Sequence, residues 1–256
     1  MTSNFSSLNI GLCRIDMIDM DRALSQIVAM RQKKCKGYVV TPNIDHLARL
    51  AGSRRSGSLQ RVYVNASLSL CDSRILEFML KLHGNRIPEV VTGSDLTARL
   101  FNDELNEKDS VYILGGSDEI LMRIKNRYPR INITHHNPTM GFIRKPGEVD
   151  AIVAHIAEAD PDYVFLAVGS PQQEILANLL QNTDEYRGVT LCIGASILFL
   201  AGAEKRAPNW MRQLRLEWLY RMSQNPSRLT IRYLKNALSL PAINRHLARN
   251  LQGTTL

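Results

Sequence analysis

This sequence predicts an α/β fold: a mostly parallel sheet covered by helices on both faces, followed by a helical, basic segment. Three observations carry that expectation. Short apolar runs recur at strand length, at Tyr38 to Thr41, Val111 to Leu114, Ile131 to Thr134, Tyr163 to Val168 and Val189 to Ile193. Each run is followed by turn residues and then by a stretch that reads as helix, the alternation that parallel strands with crossover helices require. After Gly202 the strand-like runs stop and only helical patterning remains.

The elements are justified in chain order. The run from Tyr38 is apolar at successive positions, as in a strand buried on both faces, and Pro42 ends it because proline brings no N–H to the ladder. Thr41, Asn43 and Asp45 then offer hydrogen-bonding groups at the sheet's carboxyl edge, with Asn43 readable equally as the N-cap of the next helix. Asp72 follows the apolar Leu68-Ser69-Leu70-Cys71. It reads either as a helix cap or as a general base held at the rim of an apolar wall. Cys71 beside it has no visible partner base that would make it a nucleophile.

Gly93-Ser94-Asp95-Leu96 and Gly115-Gly116-Ser117-Asp118 are glycine turns leading into helices. Asp118 is expected to cap a helix running to Tyr128. Such helix starts suit phosphate, because unpaired N–H groups and the helix dipole point at the anion. His135-His136 follows a strand and reads as structural or peripheral. In Gly169-Ser170-Pro171-Gln172-Gln173-Glu174, proline suits the first turn of a helix running towards Leu180. Two amides and a carboxylate there can read hydroxyls and base edges through paired donors and acceptors, or can simply be solvated.

The tail divides into helices at about Trp210 to Ser223 and Ser227 to Arg249, split by Asn225-Pro226. Arg228, Arg232 and Lys235 fall at i, i+4 and i+7, on one helical face, with Leu229, Tyr233 and Leu240 as an apolar flank. From Glu204 onward there are ten Lys or Arg and two acids, while the residues before it balance at 22 of each. The net charge of +8 therefore belongs to one segment, which points to an anionic partner rich in phosphate. The expected division is an α/β core over residues 1–202 and a helical appendage over 203–256, removable at the expense of partner binding more than of core stability. Trp210, Leu214, Trp218 and Leu219 fit one apolar face of that appendage. A solvated helix, a nucleic-acid patch and an interfacial membrane helix all combine Arg with such residues.

The bulk properties narrow the class. No apolar run approaches the ~18 residues of a membrane span, and the first residues lack the apolar run of a signal peptide, so a cytoplasmic chain is expected. Cys13, Cys35, Cys71 and Cys192 are scattered and read as reduced thiols, and His and Cys show no zinc-ligand spacing.

Taken in order, these segments resemble the WecG/TagA/CpsF family of bacterial glycosyltransferases, from about residue 10 to 236. The motifs are Thr41-Pro42-Asn43, Asp72, Gly93-Ser94-Asp95-Leu96, the Gly115-Gly116 strand end and Gly169-Ser170-Pro171-Gln172-Gln173-Glu174. Gly194, Ala201-Gly202, Arg206-Ala207-Pro208 and Leu216-Glu217-Trp218-Leu219-Tyr220-Arg221 with Pro226-Ser227-Arg228 continue the series, the last two being the most specific.

The resemblance implies a Rossmann-like core and an inverting transfer from a UDP-sugar to a polyprenyl-diphosphate-linked saccharide at the cytoplasmic membrane face. By the same resemblance Asp72 matches the base, Thr41 and Asn43 lie near the donor sugar, and Gln172 contacts ligand. Gly93, Asp95, Gly115, Gly116, Gly169 and Glu174 belong to the matching substrate-site motifs. Arg221, Arg228 and the displaced Arg232 match tail cations that hold the lipid diphosphate. No cofactor, metal or nucleic acid is implied, the Asp-x-Asp metal signature being absent from the family, and a homo-oligomer masking the appendage is a family expectation. Departures bear on the donor: Asp72-Ser73-Arg74 stands where the family has Asp-Gly, and Leu198 replaces a family Asp. A non-catalytic module binding the same ligands remains the alternative from another class, and a nucleic-acid-binding protein using the basic tail is a third.

Overall fold

The computed structural model describes residues 5–52, 56–204, 208, 211, 220 and 226–251. Strands β3 (Gly37–Val40), β4 (Leu68–Ser69), β5 (Ser110–Leu114), β6 (Asn132–His136), β7 (Tyr163–Leu166) and β8 (Val189–Cys192) form one sheet in the order β4-β3-β8-β7-β5-β6. Every neighbouring pair in it is parallel. A separate antiparallel hairpin, β1 (Ser7–Asn9) with β2 (Arg14–Asp16), precedes it.

The expected strands are all present, their ends shifted by at most two residues. Side-chain alternation divides the core between the two faces of the sheet. Tyr38, Val40, Tyr112, Leu114, Val164, Leu166 and Cys192 face one side. Val39, Val111, Ile113, Phe165, Val189 and Leu191 face the other. The hairpin and β4 carry no long apolar signal and are fixed instead by a buried carboxylate. Asp16 is 2% exposed, accepts from Ser7 Oγ at 2.7 Å and the Ser69 N–H at 2.8 Å, and pairs with Arg14 Nε at 2.8 Å.

Helix direction after each strand sets where a ligand fits. Helices α2 (Ile44–Gly52), α3 (Ser56–Val64), α4 (Arg74–Leu82), α7 (Pro146–Ala159) and α8 (Gln172–Gln181) pack on the first face. Helices α1 (Met20–Gln32), α5 (Gly93–Arg99), α6 (Asp118–Arg127) and α9 (Ser196–Leu200) cover the second. Helix α1 illustrates the local logic: Asp19 accepts from the Arg22 N–H at 2.8 Å, and Met20, Ala23, Leu24 and Ile27 repeat at one-face spacing. A short π-turn (Leu100–Glu104) extends α5.

Because β3 and β8 are neighbours whose following helices, α2 and α9, leave to opposite faces, the chain opens a crevice at their carboxyl ends. The same divergence occurs between β8 and β7 and between β7 and β5.

The last described helix, α10 (Pro226–Leu251), is partly buried against the core. Ile243, Leu247 and Leu251 recur every fourth residue and are buried in the first-face core. Near its end, Asn250 packs on the hairpin turn so closely that a Cβ on Gly11 (φ +76°) would overlap its side chain. Its first half leans on the α2 start, where Arg232 Nε lies 3.5 Å from Asp45 Oδ1. The expected helix from Trp210 to Ser223, with Arg206 and Arg221, lies outside the described residues, as does the side chain of Arg228.

Candidate active site at the sheet's carboxyl edge

Three of the sequence-flagged residues meet in the β3/β8 crevice. Thr41 follows β3 and is 7% exposed. Asp72 follows β4 by the connection whose backbone N–H donates to Pro42 O at 3.1 Å. Gly93 begins α5, and its N–H donates to Asp72 Oδ2 at 3.3 Å. A Cβ built on Gly93 would stand 3.1 Å from Thr41 Oγ1, 3.4 Å from Ser196 Oγ and 3.7 Å from Asp72 Oδ2. One carboxylate and two hydroxyls therefore converge on a backbone that carries no side chain. Ser196 was not singled out in the sequence. The only signal for it is position, two residues past Gly194 at the end of a strand.

The capping alternatives resolve differently at each residue. Asn43 is the cap of α2: its Oδ1 accepts from the Asp45 and His46 N–H groups at 3.0 and 3.3 Å. That leaves its Nδ2 hydrogens as the polar groups it can offer a ligand. Asp72 is not a cap, because the adjacent Ser73 takes that role for α4, its Oγ accepting from the Leu76 N–H at 3.1 Å. Its carboxylate accepts from the Gly93 N–H instead. Likewise Ser117, rather than Asp118, caps α6. Burial pushes the Cys71 thiol up to about 12, so it stays protonated and is no nucleophile. Arg74 is over half exposed and pairs with Glu77 at 3.5 Å.

The other glycine turns lie along the same edge. Gly115 and Gly116 adopt φ of +98° and +82°, where side chains are strained. A Cβ on Gly115 would stand 2.9 Å from Ala167 O on the next connection. His135 holds this turn through Nε2, 3.1 Å from Gly115 O and 3.2 Å from Gly116 O, so its structural reading acquires a specific object. Asp95 joins the cap of α5, with Thr92 Oγ1 donating to its carboxylate at 2.7 Å and its own N–H donating to Thr92 Oγ1 at 3.1 Å.

After β7, Gly169 (φ +79°) turns the chain into α8, and Gln172 is part-exposed at the helix start. Gln173 and Glu174 are instead buried, at 3% and 1% exposure. Gln173 bridges the β7 and β8 ends: its Oε1 accepts from the Gly194 N–H at 3.0 Å and its Nε2 donates to Glu174 Oε1 at 2.9 Å. Glu174 thus supports the edge from beneath.

Beside these turns a polar cluster joins α2, α8 and α10. Arg49 donates to Ser170 Oγ at 2.7 Å and to Asp45 Oδ2 at 3.1 Å, while Asp45 also receives Arg232. His46 lies within it, its Nδ1 shielded and without a hydrogen-bond partner among the described residues. Desolvation lowers the His46 pKa below 6.5, against the raising effect of Glu174, with Arg49 and Arg232 lowering it and Asp45 raising it. Folding therefore favours the neutral ring. Stability is complete above the unfolded value near 6.5 and is lost as pH falls below it, because the unfolded chain then binds a proton that the native state refuses. The thermal midpoint should drop over that window, and His46→Gln should flatten the drop. An unchanged slope in the variant would assign the acid sensitivity to another group.

Similar curated proteins carry the name N-acetylglucosaminyldiphosphoundecaprenol N-acetyl-beta-D-mannosaminyltransferase. That of Bacillus subtilis (strain 168) is 29% identical over 184 residues, covering 70% of this chain and 68% of its own length. That of Bacillus spizizenii is 28% identical over 66% of this chain and 65% of its own length. That of Staphylococcus aureus (strain NCTC 8325 / PS 47) is 36% identical over 43% of each. Residues 8–252 match the family described as Glycosyl transferase WecG/TagA/CpsF family. With nearly its whole length inside that match, the chain belongs to the WecG/TagA/CpsF family of glycosyltransferases.

Proposed function

We propose that this chain moves a sugar from a UDP-sugar to a hydroxyl of a polyprenyl-diphosphate-linked saccharide, with inversion, in the synthesis of a cell-envelope polymer. The observation that carries the reading is the Asp72 carboxylate, tethered by the Gly93 N–H at 3.3 Å in the crevice that Thr41 and Ser196 line. A carboxylate so held serves as base, taking the proton of the acceptor hydroxyl as that oxygen bonds to the sugar's anomeric carbon. The bond from that carbon to the UDP oxygen breaks in the same displacement, and UDP leaves. One displacement inverts the centre, in keeping with the β-linked product named for the relatives.

The remaining residues take roles by chemistry. Thr41 and Ser196 hydroxyls and the Asn43 Nδ2 hydrogens are donors for the transferring sugar. The Gly115-Gly116 and Gly169 turns bring backbone within reach of the UDP phosphates, and Gln172 and the Asp95 turn line the same edge. Arg221, Arg228 and Arg232 are proposed to hold the acceptor diphosphate, offsetting its charge by bidentate contacts. In this reading the segment 203–256 supplies lipid-diphosphate and membrane contact from the cytoplasmic side. No described helix is long and apolar enough to cross a membrane.

A panel of UDP-sugars, each with and without a polyprenyl-diphosphate-linked acceptor, tests the proposal by UDP release. Acceptor-dependent release with one donor supports it and names the donor. Tight donor binding with no turnover on any acceptor would favour a binding module. Gly93→Ala probes the geometry separately. Its methyl would enter the space between Thr41 and Asp72, so turnover should fall roughly ten- to a hundredfold while the thermal midpoint stays close to that of the parent protein. Full activity would remove Gly93 from the site.

A further inference from the structure

Ten large apolar side chains are exposed among the described residues, and six of them sit on just two helices. On α4 they are Ile75, Phe78 and Leu82, at 46%, 48% and 68% exposure. On α10 they are Ile231, Leu234 and Leu238, at 59%, 60% and 82%. Both sets follow the same spacing, i, i+3 and i+7, so each forms a stripe along one face of its helix. Single exposed apolar residues need no explanation, but two such stripes do. Helix α4 also buries Leu76, Met79 and Leu80 on its inner side, so it is apolar on two faces.

The two helices share an end of the molecule. Helix α4 starts directly after Asp72, capped by Ser73. Helix α10 passes the start of α2, where Arg232 meets Asp45. Their courses meet where His83 Nε2, at the C-cap of α4, lies 2.8 Å from Asn244 Oδ1. Both stripes therefore flank the edge that carries the candidate base.

Charge selects the occupant. The span Pro226–Leu251 contains five Lys or Arg and no acid, and of the five Arg232 is offset by Asp45 of α2. Arg74 and Lys81 are exposed on α4, whose single acid, Glu77, faces Arg74. A second copy of this chain docking through the same face would set cations against cations. An anionic bilayer complements the pattern, with apolar stripes entering the acyl boundary and Lys and Arg at the headgroups.

We infer that Ile75, Phe78 and Leu82 of the core helix α4, together with Ile231, Leu234 and Leu238 of α10, form one membrane-docking face that sets Asp72 against an anionic bilayer. The inference rests on the proposed lipid-linked acceptor and goes beyond it. Half the footprint belongs to the catalytic core, so membrane contact orients the crevice itself and is not confined to the tail.

Flotation of the full chain with phosphatidylcholine vesicles, with and without phosphatidylglycerol, tests it. The parent protein should bind the anionic vesicles. Ile75→Ser/Phe78→Ser/Leu82→Ser, and separately Ile231→Ser/Leu234→Ser/Leu238→Ser, should each lower binding about tenfold or more. Phe78→Ala provides a milder change should the triple variants unfold, and should weaken binding measurably. Turnover of a short-chain, water-soluble acceptor should survive the α4 changes, while turnover of vesicle-embedded acceptor should fall. Parent protein that ignores anionic vesicles, or α4 variants that bind them as well as the parent, would overturn the inference. So would a parental oligomer that the α4 changes disperse without altering vesicle binding, since the face would then belong to a second copy. Absence of turnover on every acceptor would fail the transferase reading alone, because flotation reads the docking face independently.

Discussion

Asp72→Asn is expected to reduce turnover roughly a hundred- to ten-thousandfold, the range a positioned general base contributes, with little change in folding. The structure explains why the two effects separate. Asn retains an Oδ1 that accepts the Gly93 N–H, so the tether between the β4 connection and the start of α5 persists. Ser73, not Asp72, caps α4, so no helix start is lost. The negative charge disappears, and with it the capacity to take the acceptor's proton. Donor affinity should stay within a few fold, since the uncharged amide keeps the shape of the rim. The readout is acceptor-dependent UDP release at saturating donor, alongside thermal denaturation. Turnover near the parental rate would remove Asp72 as the base, and the crevice would then need another proton acceptor.

Truncation after Gly202 should unfold the core, in contrast to what the charge division suggests. Ile243, Leu247 and Leu251 lie inside the first-face core at 0%, 0% and 5% exposure. Burying each such side chain contributes roughly 1.5–3 kcal/mol, so their joint loss removes about 5–9 kcal/mol, comparable with the whole stability of many domains. The loss would also uncover the hairpin turn, where Asn250 packs against Gly11. The single change Leu247→Ala should already destabilise by about 2–5 kcal/mol. Denaturant unfolding followed by circular dichroism measures both. A truncated chain that unfolds cooperatively within a few degrees of the parent would restore the independent-appendage reading. Internal changes such as Arg232→Ala, which keep α10 docked, are the cleaner test of the tail's part in acceptor use.

Much of the site was legible because its chemistry falls where strands end. Thr41, Asp72, Gly115-Gly116 and Gly169 each follow a strand, and a parallel sheet must gather its strand ends at one edge, whereas Gly93 opens α5 with α4 rather than a strand before it and joins them only in the fold. The local roles were less legible. Asn43 and Asp72 look alike as possible caps, and only Ser73's hydrogen bond to Leu76 decides that Asp72 is spared. Ser196 carried no motif, since a lone serine gains meaning from what stands beside it. Gln172 and Gln173 are neighbours of the same type, yet the helix turns one to the rim and buries the other against Gly194.

By itself the sequence determined the strand–helix alternation, the carboxyl-edge location of the polar turns, the concentration of positive charge after Gly202, and membership in the family. The first three are properties of local periodicity and composition, which need no knowledge of distant partners; the family follows from the ordered series of motifs and the match over residues 8–252. The tertiary structure alone decided the strand order, the meeting of Thr41, Ser196 and Asp72 around Gly93, and the burial of the second half of α10. Each of those depends on contacts between residues far apart in the chain, and packing rather than propensity fixes them.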